Sequence, residues 1–497
     1  MPTVEAGRLL ARPGGEPTRG PSAIDLAGTH IGAVRGLPDG PADPTAGRLV
    51  ALPAFTDAHD HGRGTRTIAF GAADDALEVW IARLGQEPKV DPYLRAAVAF
   101  ARMAEGGICA ANHCHNTQDP DALIAEAEAV SRAARDVGIR VAFAVPIFDR
   151  NPLVYGDPGP LFDRLAGPER EALAARVARL RPAAGQLALV EAVAAFEHPL
   201  FTVQYGPVGP QWVTEETLAA IADASTRTGR RVHMHLFETR YQKEWADAAH
   251  AGGLLPRLDA LGLLSPRLTV AHGVWLDRAD CDLLAARGVI VSVNPSSNLR
   301  LKSGIAPVGR FLEAGLAFGL GLDGMAFDDD ADALREVRLL WQLNRGIGVD
   351  AALSEERLFR AACVDGRRTV TGEDGGGVIA PGAPADLMLL DWGAMAGDVL
   401  DGAADTVDVL LARMTARHLD RMIVAGRTVV EGGCCTGVDR PALEAALVDQ
   451  ARAAWAAARP DDDVAERIAA AVADYYRCGC HAGVPATAAR RALGEGR

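Results

Sequence analysis

The sequence predicts an α/β fold centred on a (β/α)8 barrel, and three observations support this prediction. The chain of 497 residues is long enough for a barrel of about 250 residues and a smaller domain. Between residues 51 and 375, short apolar runs alternate with helical stretches rich in Ala, Leu and Arg. No glycine-rich phosphate loop follows the first apolar run, which disfavours a doubly wound sheet.

Eight apolar runs are the predicted barrel strands. They cover residues 52–55, 108–112, 140–145, 200–205, 231–236, 268–271, 289–293 and 318–322. Helical periodicity between them is clearest at residues 122–136, 169–180, 215–228, 278–287 and 333–344. Because all strands of such a barrel run in one direction, their C-terminal ends meet at one face, where barrel enzymes carry their active sites.

The two chain ends predict further parts of the molecule. Strand-like runs occur near the start and return after residue 375, at residues 8–11, 30–34, 48–52, 377–379, 386–390, 422–424 and 427–430. We interpret residues 1–50 and 376–438 together as a small β-sandwich domain, and residues 51–375 as the barrel domain. Residues 439–497 form a predicted helical extension, with helices at 440–458 and 464–476 separated by Pro460 and an acidic cluster.

Composition restricts the classes of partner. The hydrophobic fraction of 49% suits a globular enzyme, and the net charge of −14 argues against nucleic acid or an anionic membrane as the main partner. No apolar run reaches the roughly 20 residues that span a bilayer, and no signal-peptide pattern begins the sequence. We expect a cytoplasmic protein that binds a small molecule. Its helical extension either mediates a homo-oligomer or packs on its own barrel.

The eight cysteines are too scattered for a disulfide scaffold, so free thiols are expected. Cys478, Cys480 and His481 also resemble half of a zinc knuckle. No second cysteine pair follows at the spacing of a zinc ribbon, which disfavours that interpretation.

A candidate metal site begins directly after the first predicted strand, where residues 57–62 read Asp-Ala-His-Asp-His-Gly. Side chains two residues apart on a strand point the same way, so His59 and His61 can both face the barrel axis. Alone, this pair is weak evidence, because a histidine at a strand end is more often a hydrogen-bonded structural residue than a ligand.

Three further signals strengthen the prediction. His233 and His235 share one face of the fifth strand, and Glu238 follows where that strand gives way to a loop. His272 ends the sixth strand and Asp323 follows the eighth. Imidazole and carboxylate groups bind divalent metals, and a carboxylate that does not bind the metal suits proton transfer. Four such signals, in order at the ends of strands one, five, six and eight, are hard to explain by separate structural roles.

Seven stretches extend this pattern, at residues 52–61, 204–207, 235–238, 271–273, 294–299, 321–324 and 377–387. Through them the chain resembles the cytosine/guanine deaminase and chlorohydrolase branch of the amidohydrolase superfamily, over roughly residues 45–435. The resemblance implies a deaminase in which His59, His61, His235 and Asp323 bind a divalent metal. It also implies that Glu238 shuttles protons and that His272 orients the attacking hydroxide, with His272 or Asp323 assisting a second proton transfer.

The metal is expected to be a single ion, most readily Zn²⁺, with Fe²⁺ or Mn²⁺ as alternatives. Binuclear relatives bridge two ions with a modified lysine on the fourth strand. The three lysines of this chain are Lys89, Lys243 and Lys302, and none of them lies on that strand.

The expected reaction replaces an amino group of an N-heterocycle of purine, pterin, pyrimidine or triazine type by metal-activated hydroxide and releases ammonia. The same site would also serve dechlorination or N-dealkylation of a triazine-like ring, or opening of a cyclic amide. An inactive binding protein is disfavoured because no predicted ligand is missing. Val293 and Leu322 stand where the family often has His and Thr, which predicts a reshaped substrate pocket.

Five side chains near the strand ends are candidate substrate contacts: Arg63, His113, His115, Gln204 and Asn298. The amide of Gln204 can both donate to and accept from an amidine-like ring edge. Arg63 can meet an anionic or carbonyl group, or can be an ordinary surface arginine. The pair His113 and His115 favours a substrate contact or a structural network over a second metal site.

Overall fold

Eight parallel strands form the centre of the computed structural model, which describes residues 2–178, 180–400, 402–458 and 462–483. Each strand pairs with the next one along the chain, so the order around the sheet is sequential. The strands are β1 Phe55–Asp60, β2 Ile108–Cys114, β3 Arg140–Ile147, β4 Phe201–Pro207, β5 Val232–Leu236, β6 Leu268–His272, β7 Ile290–Val293 and β8 Ala317–Leu320. The predicted barrel is confirmed.

The barrel closes where β8 meets β1. The Asp323 amide donates to the carbonyl oxygen of His59 at 2.8 Å. The Leu322 amide donates to Asp57 Oδ1 at 3.0 Å, and the Gly324 amide donates to Asp60 Oδ2 at 2.5 Å. The segment that follows β8 is therefore fixed directly beside His59 of β1 and His61, which follows that strand.

Helices cover the outside of the barrel. The helices up to β8 are Leu77–Leu84, Pro92–Glu105, Leu123–Val137, Gly159–Phe162, Gly167–Ala178, Ala183–Val193, Glu215–Thr228, Arg240–Ala249, Leu254–Ala260, Arg278–Ala286, Pro295–Arg300 and Val308–Ala314. Those after β8 are Ala333–Asn344, Glu355–Arg360, Gly366–Thr371, Trp392–Ala396, Thr406–Arg413, Arg440–Ala458 and Asp462–Arg477.

Local signals explain why some helix bounds were predictable. The helix Glu215–Thr228 begins at Thr214, whose side chain accepts a hydrogen bond from the Thr217 amide, and it ends at Gly229 with a left-handed φ of 73°. A hydroxyl at the start and a glycine at the end satisfy helix-terminal groups at low conformational cost.

The first predicted strand divides between two sheets. Leu49–Pro53 joins an outer sheet, and β1 begins after Ala54. The barrel strand is therefore longer than predicted at its C-terminal end, and it contains His59 itself. The predicted strand at residues 377–379 is wrong, because Gly377 adopts a left-handed φ of 77° and this segment forms no strand.

Both chain ends contribute to one outer six-stranded sheet. Its strands are Arg8–Leu9, Leu49–Pro53, Leu387–Asp391, Leu419–Val424, Arg427–Glu431 and Cys434–Cys435. A three-stranded sheet of Thr3–Ala6, Ser22–Ala27 and His30–Gly36 shares an apolar core with it, to which Ile24, Leu387 and Ile423 contribute. The division at residues 50, 376 and 439 remains a proposal.

The two C-terminal helices pack on the protein's own barrel. Arg83 makes two hydrogen bonds to the carboxylate of Glu466, at 2.8 and 3.1 Å. The Tyr475 hydroxyl donates to the carbonyl oxygens of Tyr155 and Asp157, at 2.7 and 2.9 Å. Pro460 and Asp461, and residues 484–497 of the predicted extension, lie outside the described residues.

Two further sequence-based expectations concern the chain as a whole. Cys478 and Cys480 form a disulfide across Gly479, so the prediction of free thiols is wrong at these positions. The left-handed φ of 74° at Gly479 turns the chain between them.

Among the described helices, none combines the length and apolar character that a bilayer crossing requires.

We expect Tyr475→Phe to lower the free energy of unfolding by about 1–3 kcal/mol, because it leaves two main-chain carbonyls without their donor beneath a buried ring. Chemical denaturation measures the change. Tyr93→Phe is the matched control, since its hydroxyl donates to Asp136 in an exposed environment. Equal losses in the two variants would contradict the anchoring role of Tyr475.

Candidate metal centre and active site

The predicted histidines and aspartate meet at the C-terminal end of the barrel. Asp323 Oδ1 lies 3.1 Å from the Nε2 atoms of both His59 and His61. The ring of His235 lies 4.7 Å from that of His59 and 5.5 Å from that of His61, measured between centroids. His272 completes the group, with its ring 5.5 Å from that of His235.

Hydrogen bonds fix the histidine tautomers. His61 Nδ1 lies 2.8 Å from the carbonyl oxygen of Cys114, and His235 Nδ1 lies 2.7 Å from that of Val208. A carbonyl oxygen only accepts, so each Nδ1 carries the hydrogen and the lone pair lies on Nε2. Metal-binding histidines in proteins are commonly held by their second nitrogen in this way.

The electrostatics also suit a metal ion. Burial lowers the pKa of His59 to about 3 and that of His61 to about 4, so both rings are neutral at physiological pH. Burial alone would raise the pKa of Asp323, yet His59 and His61 hold it well below its usual range. Neutral imidazoles beside a carboxylate are a donor set that Zn²⁺ accepts.

Two buried nitrogen atoms aim into the same space without hydrogen bonds. His59 Nε2 and His272 Nε2 have no hydrogen-bond partner among the described residues. The described residues contain four groups of mutually close donor atoms, of which two contain Cys114. The other two are His59 with His61 and Asp323, and His59 with His235 and His272. Since a buried polar atom without a partner is costly, this pattern fits a site whose ligands converge on an ion.

Glu238 lies beside this cluster. Its Oε2 is 3.5 Å from His272 Nε2, and its Oε1 accepts a hydrogen bond from the Ser303 hydroxyl at 3.3 Å. The Glu238 main-chain amide donates to Gln242 Oε1 at 2.8 Å. Burial, reinforced by the charge of Asp323, raises the pKa of the Glu238 carboxyl well above its ordinary value.

Three non-glycine residues at this end of the barrel have left-handed backbones. Phe237 has a φ of 47°, His272 of 76° and Asp323 of 59°. Such conformations strain non-glycine residues and persist where surrounding contacts enforce them, often at functional sites. Here they turn the chain sharply after β5, β6 and β8.

A cavity of about 1210 Å³ opens above the cluster, and His61, His235, Glu238, His272 and Asp323 line its floor. Arg63 also lines it, as the sequence analysis considered. Its guanidinium carbon lies 5.2 Å from the ring centroid of Trp80, and its NH1 donates to the Asp323 carbonyl oxygen at 2.8 Å.

The remaining candidate substrate contacts are placed differently. His115 lines the cavity, whereas Gln204, His113 and Asn298 are buried outside its lining. Gln204 Nε2 donates to Asn112 Oδ1 at 2.5 Å, and Asn298 Oδ1 lies 3.0 Å from His272 Nδ1. The amides of Gln204 and Asn298 thus support other side chains of the site.

His113 and His115 form a chain of buried hydrogen bonds. His113 Nε2 lies 3.1 Å from His115 Nδ1, and His115 Nε2 lies 2.8 Å from Glu126 Oε2. Both ring nitrogens of His115 are therefore in use. Neither histidine belongs to a candidate metal cluster among the described residues.

Val293 and Leu322, which differ from the family pattern, do not contact the cavity directly. Both side chains are buried and lie outside the cavity lining. Val293 ends β7, where it pairs with Leu320 of β8, so its side chain serves the packing of the barrel.

Several supporting contacts were not predicted from the sequence, although His233 itself had been noted on the fifth strand. His233 Nε2 lies 2.6 Å from His59 Nδ1, and Asn112 Nδ2 lies 3.1 Å from His233 Nδ1. The Ser297 hydroxyl donates to Asp323 Oδ2 at 2.5 Å. The position of Ser297 in the Asn-Pro-Ser-Ser-Asn stretch was visible, but its partner lies 26 residues away on another strand end.

Glu336 contacts the segment that holds Asp323. It is buried and accepts hydrogen bonds from the Ser296 amide at 2.7 Å and from the Ser296 hydroxyl at 2.6 Å. Burial raises the pKa of Glu336 to about 7. The neighbouring Ser297 is the residue that holds Asp323.

Comparison with known proteins gives consistent matches. The model of the amidohydrolase family matches residues 50–429. A 5-methylthioadenosine/S-adenosylhomocysteine deaminase of Pelotomaculum thermopropionicum is 33% identical over 231 residues, which are 46% of this chain and 52% of that protein. A 5'-deoxyadenosine deaminase of Methanothermobacter thermautotrophicus is 28% identical over 400 residues, which are 75% of this chain and 83% of that protein.

Solved structures share the fold. An adenosine deaminase from Xanthomonas campestris with bound zinc superposes with a TM-score of 0.72 at 23% identity, covering 91% of this chain and 98% of that one. An atrazine chlorohydrolase from Arthrobacter aurescens, also with zinc, gives a TM-score of 0.72 at 19% identity, with coverages of 91% and 100%.

Loss of a residue that hydrogen-bonds to a metal ligand weakens metal binding by roughly 10–100-fold. We expect His235→Ala to weaken zinc binding by more than this, because it removes a ligand whose lone pair the hydrogen bond to Val208 directs towards the site. Competition with a chromogenic chelator measures the affinity, and elemental analysis measures the stoichiometry. His198→Gln is the control, since His198 is half-buried and bonded to Ser131 far from the cluster. Unchanged affinity in His235→Ala would remove His235 from the ligand set.

We expect Glu336→Gln to reduce the pH dependence of stability. The pKa of Glu336 in the folded protein is about 7, above the value near 4.3 of an unfolded chain. The folded state therefore holds the extra proton, and stability is lost as pH rises from about 4.3 to 7. Thermal unfolding at pH 5 and pH 8 measures this loss. A loss of equal size in the variant would contradict the assignment.

Proposed function

The chain belongs to the amidohydrolase family, and from that premise we propose that it is a metal-dependent deaminase. It replaces the amino group of an N-heterocycle with oxygen from water and releases ammonia. The observation that carries this proposal is the convergence of three neutral histidines, one ionised aspartate and a separate buried glutamate at the floor of a cavity. The deaminases of adenosine derivatives among the relatives favour a purine-type ring.

We propose that His59, His61, His235 and Asp323 hold one divalent ion, most readily zinc. The tautomers of His61 and His235, and the closeness of Asp323 Oδ1 to His59 and His61, support this ligand set. β4 contains no lysine that could bridge a second ion. When bound, such an ion supplies Lewis acidity that makes water a nucleophile near neutral pH.

Glu238 moves the protons in this proposal. As the water oxygen bonds to the ring carbon, the π electrons of the carbon–nitrogen double bond move to the ring nitrogen and the carbon becomes tetrahedral. Glu238 Oε2 accepts a proton from the attacking water and passes it to that ring nitrogen. The raised pKa of Glu238 suits this role, because it makes the carboxylate a stronger base than an ordinary glutamate. The hydrogen bond from Ser303 holds Oε1, which leaves Oε2 facing His272.

His272 and Asp323 have the second role. His272 Nε2 faces both the cavity and Glu238, and Asn298 holds its Nδ1. The lone pair on Nε2 orients the attacking water. As the carbon–nitrogen bond breaks, the remaining proton of the water reaches the departing amine through His272 or Asp323, and ammonia leaves while the ring carbon retains the oxygen.

The direct test is a substrate screen with protein loaded with zinc. The panel contains aminopurines, aminopterins, aminopyrimidines, amino- and chlorotriazines and cyclic amides, with ammonia, chloride, alkylamine and ring opening followed separately. Ammonia release from an amino-heterocycle supports the proposal. Release of chloride or alkylamine, or ring opening, without ammonia release would replace deamination by one of the other hydrolytic reactions.

We expect Glu238→Gln to lower kcat by about 10²–10⁴-fold while zinc binding stays intact, because the amide cannot carry the proton. Steady-state kinetics and metal analysis of the same sample check this. Glu216→Gln, at an exposed position on the helix Glu215–Thr228, is the control. Near-normal turnover by zinc-loaded Glu238→Gln would refute the role given to Glu238.

A further inference from the structure

We propose that the heterocycle carries a large apolar substituent, and that the two C-terminal helices bind this substituent at the far end of the cavity. The inference rests on the proposed deamination, since it concerns the part of the same substrate that does not react. In this proposal, specificity for the substituent is determined by Trp455, Ala465 and Ile468. This gives the C-terminal extension a role within its own active site.

The cavity is continuous from the metal cluster to the C-terminal helices. Trp455 of the helix Arg440–Ala458 lines the same space as Glu238 and His272, and so do Ala465 and Ile468 of the helix Asp462–Arg477. The volume of about 1210 Å³ exceeds the roughly 300–1,000 Å³ of pockets that hold drug-sized ligands. A bare mono- or bicyclic ring placed at the metal cluster would leave most of this space unfilled.

The walls between the two ends are mainly apolar. Leu77 and Trp80 of the helix Leu77–Leu84 line them, together with Phe148, Leu173 and Trp212 from other segments. Exposed apolar surface inside a cavity is stabilised when an apolar ligand group covers it. A hydrocarbon or aromatic substituent therefore matches this region.

The charged groups of the cavity away from its floor are already paired. Lys89 lies 3.7 Å from Asp119, and Arg181 NH2 lies 3.0 Å from Asp121. Glu87 accepts two hydrogen bonds from Arg95, both at 3.1 Å. A charged substituent would have to compete with these pairs, so the lining favours a neutral one.

Trp455, Ala465 and Ile468 form what we call the far wall of the cavity. This wall is held in place before any ligand binds. Glu466, next to Ala465, points outward and pairs with Arg83, while Ala465 faces the cavity. Trp455 packs against the apolar cluster that contains Leu77 and Trp80. A preformed wall loses little conformational entropy on binding, which makes it an efficient binding surface.

The experiment uses 9-alkyladenines with methyl, butyl and hexyl groups, together with 9-(5-carboxypentyl)adenine. Zinc-loaded Glu238→Gln protein is titrated with each compound by calorimetry, so that binding is measured without turnover. We expect affinity to rise about three- to four-fold per methylene group, which corresponds to about 0.8 kcal/mol per buried CH₂. The carboxyl compound is expected to bind more weakly than the hexyl compound.

Variants of the far wall, made in the same Glu238→Gln background, locate the effect. We expect Trp455→Ala and Ile468→Ala to reduce the gain in affinity per methylene group, while the affinity for the methyl compound stays within about two-fold. Trp455→Phe is expected to restore much of the gain per methylene group. Val448→Ala, at an exposed apolar position on the same helix as Trp455, is the matched control. Ala465→Leu fills the cavity and is expected to weaken hexyl binding most.

Each outcome bears on one proposal. The inference is overturned if affinity does not rise with chain length, or if no compound binds. It is also overturned if the carboxyl compound binds more tightly than the hexyl compound. Equal losses for methyl and hexyl compounds in the far-wall variants also overturn it. The proposals separate if affinity rises with chain length but the wild-type protein releases no ammonia from the alkyladenines or the substrate panel. That result would retain the apolar site and reject deamination.

Discussion

The closure of the barrel between β8 and β1 is the constraint on which the site depends. The Asp323 amide reaches the His59 carbonyl, while Asp57 and Asp60 accept the amides of Leu322 and Gly324. These bonds are made by the same short segments that carry the metal-binding candidates. In the closed barrel, Asp323 Oδ1 lies 3.1 Å from the Nε2 atoms of two imidazoles.

Around this closure the protein arranges buried polar groups so that each ligand has one committed atom and one available atom. Cys114, Val208 and His233 occupy the Nδ1 atoms of the three histidines, and Ser297 occupies one oxygen of Asp323. A buried polar atom without a partner is costly, and the cost is greatest where the dielectric constant is low. His59 Nε2 and His272 Nε2 are among the buried polar atoms without a hydrogen-bond partner, and both belong to the cluster of candidate ligands.

The helices Arg440–Ala458 and Asp462–Arg477 contribute to the cavity that contains the candidate active site. The two helices are fastened to the barrel by Tyr475 and Glu466, and their inner residues complete the cavity that begins at the cluster. One end of the cavity is polar and fixed by the barrel, while the other is apolar and supplied by added helices. Such a division allows a family to keep one reaction and change the substrate by altering peripheral segments.

The sequence by itself determined the barrel, the order of its strands and the identities of the ligand candidates, because strand periodicity and residue type are local properties. His59, His61, His235, Glu238, His272 and Asp323 could all be named in advance for that reason. Only the tertiary structure decided that Gln204 and His113 lie outside the cavity, that Ser297 holds Asp323, and that the far wall comes from residues beyond 450. These facts depend on which distant segments meet, and a hydrogen-bond partner or cavity wall contributed from elsewhere in the chain leaves no signal in the local pattern.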